Sequence, residues 1–249
     1  MPFSALIIGD EILSGRRADR HLVKLIELLR SRGLKLSGAR YVGDEPGRLV
    51  ECLRESFHSG DVVFSFGGIG ATPDDHTRQA AARALGVELA LHPEAEAAIR
   101  GRFGNAVTPH RLQMGVFPSG SEIIPNPYNQ IPGFSVREHY FVPGFPVMAW
   151  PMVEWVLDTR YGHLHHAEDY VERSIVIHDA NEGQLIELME RVESDFPLVT
   201  LFSLPTVAVE GERRVLELGV KGARQVTDAA MTLIQAEVGA RGFEWQTLE

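Results

Sequence analysis

The stretch Asp61-Val62-Val63-Phe64-Ser65-Phe66-Gly67-Gly68-Ile69-Gly70-Ala71-Thr72-Pro73-Asp74-Asp75-His76-Thr77-Arg78 decides how the chain is read. Val62 to Phe66 is an apolar, β-capable run, the length of a buried parallel strand and too short for a free helix. Gly67, Gly68 and Gly70 follow; residues without a Cβ let the backbone turn freely and let a ligand approach the main chain. After Asp74 and Asp75, the apolar stripe Ala81, Ala84 and Leu85 predicts a helix whose first turn lies at Asp75 to Thr77. Open α/β sheets hold ligands where a strand passes through such a turn into a helix. Taken alone, the turn reads equally as punctuation, and Asp75 as a helix cap.

Two more strand ends carry the same residue types, Gly9-Asp10-Glu11 and Gly43-Asp44-Glu45. Ser4 to Gly9 is a first strand, with Ala5 to Ile8 apolar without alternation, as when both faces are covered. Asp10 to Gly15 reads as a loop, and Asp19 as the cap of a helix bearing Leu22, Leu25, Ile26 and Leu29 that Gly33 stops. A second strand, Lys35 to Val42, precedes a helix opened by Pro46 and carrying Leu49, Leu53 and Phe57. Strands and helices in this rhythm form βαβ units of one parallel sheet. Such a sheet would carry all three acidic tips to the same edge.

Past Gly86 the rhythm loosens. Pro93 starts a helix, residues 100 to 115 are irregular with Arg111 and Gln113 as candidate polar contacts, and short strands are expected at 121–124, 133–136 and 138–142. Val142-Pro143-Gly144-Phe145-Pro146 is a rigid turn, read equally as a stiff connection or a substrate loop. His163, His165 and His166 lack a further ligand at suitable spacing and read as a solvated linker rather than a zinc site. The expected division is therefore 1–165 and 166–249, the second a small α+β unit poor in chemistry.

Composition sets the outer limits. In 249 residues, 34 acidic side chains face 24 basic ones, for a formal charge of −10, which argues against nucleic acid as a partner because neutralising phosphates takes a basic face. The single cysteine, Cys52, excludes an intrachain disulfide and fits a reducing compartment; it lies in a helical apolar stripe and reads as core. Phe141 to Leu157 is broken by Pro143, Gly144, Pro146, Pro151 and Glu154 and is not a membrane span. No leader pattern stands at the N-terminus, and a cytoplasmic location is expected.

Several of these segments, in this order, resemble the MoaB/Mog molybdopterin-binding fold in the version found in the competence/damage-inducible CinA family. Gly9 to Gly15 is similar to that family's GDE-L-x-G opening, Val42-Gly43-Asp44 to its V-G-D, and Gly67 to Arg78 to its G-G-L-G-x-T-x-D-D-x-T-R. Pro125-Asn126-Pro127, Pro132-Gly133-Phe134 and Pro143-Gly144 continue the series. The tail resembles, more weakly, the KH-like domain that follows in the family. Departures are Asp19 and His21 where the family often has N-x-N, Val147 and Met148 in place of a serine and a glutamate, and Gln113 in place of a common lysine.

The resemblance implies a three-layer α/β/α core with a mostly parallel sheet that binds a pterin or nucleotide phosphate, and an oligomer, dimer or trimer. It implies one of two chemistries: metal-dependent hydrolysis of dinucleotide diphosphates such as ADP-ribose or FAD, or adenylylation of molybdopterin. Ile69 is aliphatic as in CinA-like loops, which points to the pyrophosphatase side. A diphosphate about 5 Å from a carboxylate is repelled by roughly 3 kcal/mol per charge pair at an effective dielectric near 20. A divalent cation, Mg, Mn or Co, is therefore expected between them, held by Asp10, Asp44 and Asp75 with Glu11 or Asp74 in support. Asp44 and Asp75 are the expected catalytic groups. The expected ligand contacts are Gly9, Asp10, Glu11, Gly67, Gly68, Ile69, Gly70, Asp74, Thr77 through its hydroxyl, Gln113, Pro143 and Gly144.

Overall fold

Along β1 (Phe3–Ile8) the side chains alternate between two cores, Phe3, Ala5 and Ile7 entering one and Leu6 and Ile8 the other. An apolar run without polar alternation requires this, since both faces of its strand must be covered. The computed structural model describes residues 1–167, 169–206 and 214–248. After β1 come α1 (Asp10–Leu13), α2 (His21–Arg30), β2 (Leu36–Val42), α3 (Pro46–His58), β3 (Val62–Phe66) and α4 (Thr77–Leu85). Then follow β4 (Leu89–Leu91), α5 (Pro93–Phe103), α6 (Pro109–Leu112), β5 (Val116–Pro118), β6 (Glu122–Ile124), β7 (Gly133–Val136), β8 (His139–Val142) and α7 (Pro146–Arg160).

The main sheet has the order β2-β1-β3-β8-β7-β6. Its first four strands are parallel, and β7 and β6 continue antiparallel. On one face α2 and α7 bury Leu25, Leu28, Leu29, Met152, Val153 and Val156. On the other, α3, α4 and α5 bury Leu49, Leu53, Ala80, Ala81 and Ala95. This is the expected three-layer α/β/α arrangement with a mostly parallel sheet. Register fixes where the strands end: Ile8 pairs with Val42, Ile7 with Phe66, and Phe66 with Val142. The residues that follow, from Gly9, Gly43, Gly67 and Pro143, leave the sheet along one edge.

Three details differ from the sequence reading. Asp10–Leu13 forms a helical turn rather than a loop, with Asp10 and Glu11 in its first turn. The cap of α3 is Glu45, which accepts from the amides of Gly47 and Arg48, so this second acid of the Gly43 segment serves the helix. β4 and β5 form a separate antiparallel pair, too short for an alternation pattern to show.

The chain separates into Met1–His165 and His166–Glu249. The second unit is a small α+β body: β9 (Tyr170–His178), α8 (Ile186–Asp195), β10 (Thr200–Thr206), β11 (Val215–Ala223), α9 (Arg224–Ala240) and β12 (Trp245–Thr247). Its antiparallel sheet, β10-β11-β9-β12, packs Ile175, Ile177, Leu216 and Leu218 against Leu188, Val192, Ile234 and Val238 of the two helices. Among the described residues no helix is long and apolar enough to cross a membrane.

Candidate functional site

At the shared edge, the glycine loop after β3 is held from behind. Gly67 and Gly68 take φ of 105° and 67°, values that side-chain-bearing residues rarely adopt. A Cβ on Gly68 would collide with the Thr77 hydroxyl. The Gly67 carbonyl accepts from Thr77 Oγ1 at 3.1 Å, the Gly68 carbonyl from the Thr77 amide at 3.0 Å, and the Gly70 carbonyl from Arg78 Nη2 at 2.6 Å. Every glycine carbonyl of the loop therefore faces inward. The amides of Gly68, Ile69 and Gly70 have no acceptor among the described residues. Successive free amides beside the N-terminus of α4, a nine-residue helix, form a cradle for an anion.

Arg78 is the residue that the sequence reading quoted without giving it a role. Its guanidinium, almost wholly buried, donates to the carbonyls of Gln113, Val116 and Gly70. A signal existed, because Arg78 stands three positions before Ala81 on the face that α4 buries, and a charge there must find partners.

The geometry corrects or narrows several expected contacts; the Gly67 amide, for one, is already given to the Val142 carbonyl at 3.0 Å. Thr77 is fully buried and its hydroxyl proton is committed to Gly67, so it braces the loop rather than meeting a ligand. The Ile69 side chain lies in the core, leaving only its amide for a ligand. The Gln113 main-chain carbonyl is bound by Arg78, while its side chain stays exposed. Asp75 turns back on its own segment: Oδ2 accepts from the Thr72 amide at 2.9 Å and from the Thr72 hydroxyl. A Cβ on Gly70 would also meet that carboxylate. Asp75 thus closes its own loop. Among the described residues no three His, Cys, Asp or Glu side chains are arranged to hold a metal ion.

Asp10 and Asp44 are brought together. Each accepts the other's main-chain amide, Asp44 Oδ2 from Asp10 N at 2.9 Å and Asp10 Oδ1 from Asp44 N at 3.2 Å, so the tips of β1 and β2 are tied by their own acids. Burial pushes the Asp44 carboxyl above its ordinary pKa, and the nearby charges of Asp10, Glu11 and Asp74 add to this against the Asp10 amide bond. Asp74 is exposed, and its carboxyl is held below the usual carboxylate range by polar groups of its own loop, the nearby Thr72 first. Asp10, Glu11 and Asp74 are therefore acids that crowd Asp44. Gly9 donates its amide to the Val42 carbonyl at 3.1 Å and positions this pair. Pro143 and Gly144 leave β8 beside the cradle, Gly144 resting against Gly67.

Comparison with known proteins agrees with this architecture. Residues 4–163 match the family model described as a probable molybdopterin binding domain, and the chain belongs to that family. A CinA-like protein of Anaeromyxobacter sp. (strain Fw109-5) is 34% identical over 209 residues, 74% of this chain and 51% of that protein. The chain thus spans about half of that relative's length. Protein PAE0875 of Pyrobaculum aerophilum is 31% identical over 75% of this chain and 73% of its own length. The crystal structure of the protein CinA with unknown function from Thermoplasma acidophilum superposes with a TM-score of 0.57 and 28% identity, covering 63% of this chain and 96% of that one. The first unit has the MoaB/Mog, CinA N-terminal-like fold.

Proposed function

We propose that the first unit is a divalent-metal-dependent pyrophosphatase that cleaves the diphosphate of a nucleotide such as ADP-ribose or FAD. One observation carries this reading: all three glycine carbonyls are bound from behind, so free amides face outward beside the paired carboxylates Asp10 and Asp44. Amides bind phosphate oxygens, and carboxylates without a counter-charge repel them.

The residues fit a magnesium-like ion that arrives with its substrate. Such an ion is held by one or two carboxylates plus substrate phosphates rather than by an all-protein cage. Asp10 and Asp44 supply an oxygen-only pair, each with one oxygen outside its bond to the other's amide. Burial first, and the charges of Asp10, Glu11 and Asp74 after it, raise the Asp44 pKa, a strain that a cation would relieve. When bound, the ion would neutralise the diphosphate and polarise its P–O bonds. The chain's own contribution is to fix one phosphate on the amides of Gly68 to Gly70 and to hold Asp10 and Asp44 in place through their reciprocal bonds. The family description favours a second ligand for the same cradle, a molybdopterin, bound or adenylylated.

The test is hydrolysis of ADP-ribose and FAD with magnesium, manganese or cobalt. Asp44→Asn should lose about 100-fold in rate or more, the range seen when a main electrostatic contact is removed. Turnover no higher than that of Asp44→Asn would remove the enzymatic claim. Tight nucleotide binding without product would make this a binding protein, and pyrophosphate released from ATP only when molybdopterin is present would indicate adenylylation.

A further inference from the structure

Gly144 is where several segments meet. A Cβ on it would stand 3.5 Å from Gly67 Cα, so the backbone of the Pro143–Pro146 turn rests on the phosphate cradle. The Gly144 carbonyl lies 3.1 Å from His21 Nε2. Burial holds the His21 imidazole below its ordinary pKa, so the ring is neutral at pH 7. A carbonyl only accepts, which puts the single ring proton on Nε2. The ring also stacks on Phe66, centroids 4.5 Å apart at 25°, and Phe66 is the last residue before Gly67. Asp19 anchors this clip by accepting from the amides of His21 at 2.8 Å and Leu22 at 3.2 Å and from the Tyr41 hydroxyl at 2.8 Å. His21 Nδ1 is buried without a partner, so the stack and the Nε2 bond alone orient the ring.

The turn so held is stiff in its own right. Pro143 and Pro146 fix φ on either side, and the Phe145 carbonyl accepts the amides of Met148 and Ala149 that begin α7. On this frame the Phe145 side chain is 54% exposed and joins none of the three core clusters. The prolines and the His21 bond fix the backbone that carries this ring. An aromatic ring fixed in advance on a turn that touches the glycine loop can serve as a stacking platform whose ordering cost has already been met in folding.

We propose that the Pro143–Pro146 turn, clipped to the glycine cradle by His21, is a second wall of the site, on which Phe145 stacks the planar heteroaromatic ring of a ligand whose phosphate lies at Gly68 to Gly70. His21 is the positioning residue and Phe145 the specificity residue. This rests on the phosphate-cradle reading above and adds that the site selects ring-bearing phosphates over ring-free ones.

The test is titration calorimetry of the full chain with ADP and with inorganic pyrophosphate, both with magnesium. Phe145→Ala should weaken ADP by about tenfold, the scale of one base–aromatic stack, and leave pyrophosphate unchanged, while Phe145→Trp keeps ADP. His21→Leu should weaken ADP similarly at an unchanged denaturation midpoint, and His21→Gln, which can return an N–H near the place of Nε2, should restore it. Unchanged ADP binding in Phe145→Ala, or an equal loss for pyrophosphate, overturns the platform while sparing the cradle. Failure of His21→Gln to restore binding overturns the positioning role. Binding of neither compound by the wild type overturns the cradle reading and this proposal with it.

Discussion

In the glycine half of the site, Asp75, Thr77 and Arg78 each bond back into their own segment or its immediate support. In the acidic half, Asp10 and Asp44 reach across to each other's strand and stay crowded by Glu11 and Asp74. Both halves are a glycine followed by acids at the end of a parallel strand, yet one is braced and the other carries uncompensated charge. A phosphate site needs that division: donors must be rigid to favour an anion without reorganising, and acids must lack counter-charge to draw a cation. It also makes the two halves separable, since variants in the first should cost stability and a variant in the second should not.

The largest effect is expected from Arg78→Met. Three carbonyls would lose a charged donor inside the protein, and leaving buried acceptors unpaired at about 1–3 kcal/mol each makes roughly 4 kcal/mol in all; urea denaturation measures it. A loss below about 1 kcal/mol would mean that water takes over the carbonyls and the loop is not braced as described.

Next in size is a control at the opposite end of the sheet. His139 begins β8, is nearly fully buried, and lies 2.8 Å from Ser56 Oγ through Nε2. Burial, with help from the charge of Arg137 and against that of Asp61, lowers its pKa to about 4. Above pH 6.5 neither state is protonated. Between there and about 4 only the unfolded chain takes the proton, so stability falls as pH falls, by about 3 kcal/mol in all. His139→Phe should remove that acid limb, and what persists in its pH–stability curve then reports the carboxylates. Thr77→Val should follow at about 2 kcal/mol, the cost of leaving the buried Gly67 carbonyl without its donor, with weaker phosphate binding as the loop relaxes.

The sequence made the larger geometry legible because its signals were redundant. Val62 to Phe66 could only be a covered strand, Gly33 and Pro46 bounded the preceding units, and three acidic tips on neighbouring parallel strands had to share an edge. It did not show which acids turn inward. Asp74 and Asp75 are identical in type and adjacent, and their difference arises from Thr72, whose amide and hydroxyl claim Asp75 only once the loop has its shape. Thr77 read as a ligand hydroxyl for the same reason, since burial at the first turn of α4 depends on how closely Gly68 lets the helix approach. Three-residue strands such as β4, β5 and β12 carry too few positions for a pattern.

The smallest expected effect is also the one whose sign separates the halves. The Asp44 carboxyl has its pKa raised by burial first and by Asp10, Glu11 and Asp74 after that. The native state therefore binds its proton more tightly than the unfolded chain, stability falls as pH rises through that window, and at neutral pH the ionised group is a net cost. Asn in its place keeps the shape and an oxygen that can accept the Asp10 amide while removing the charge. Asp44→Asn should then raise the melting temperature at pH 7 by about 2 °C, an advantage that shrinks as the wild-type acid becomes protonated at low pH. Asp75→Asn should lower it, because that acid accepts both donors of Thr72. Magnesium with ADP should stabilise the wild type and leave Asp44→Asn unmoved. If Asp44→Asn melts lower than the wild type, as Asp75→Asn is expected to, Asp44 is a brace, and the acidic half is structural rather than poised for a cation.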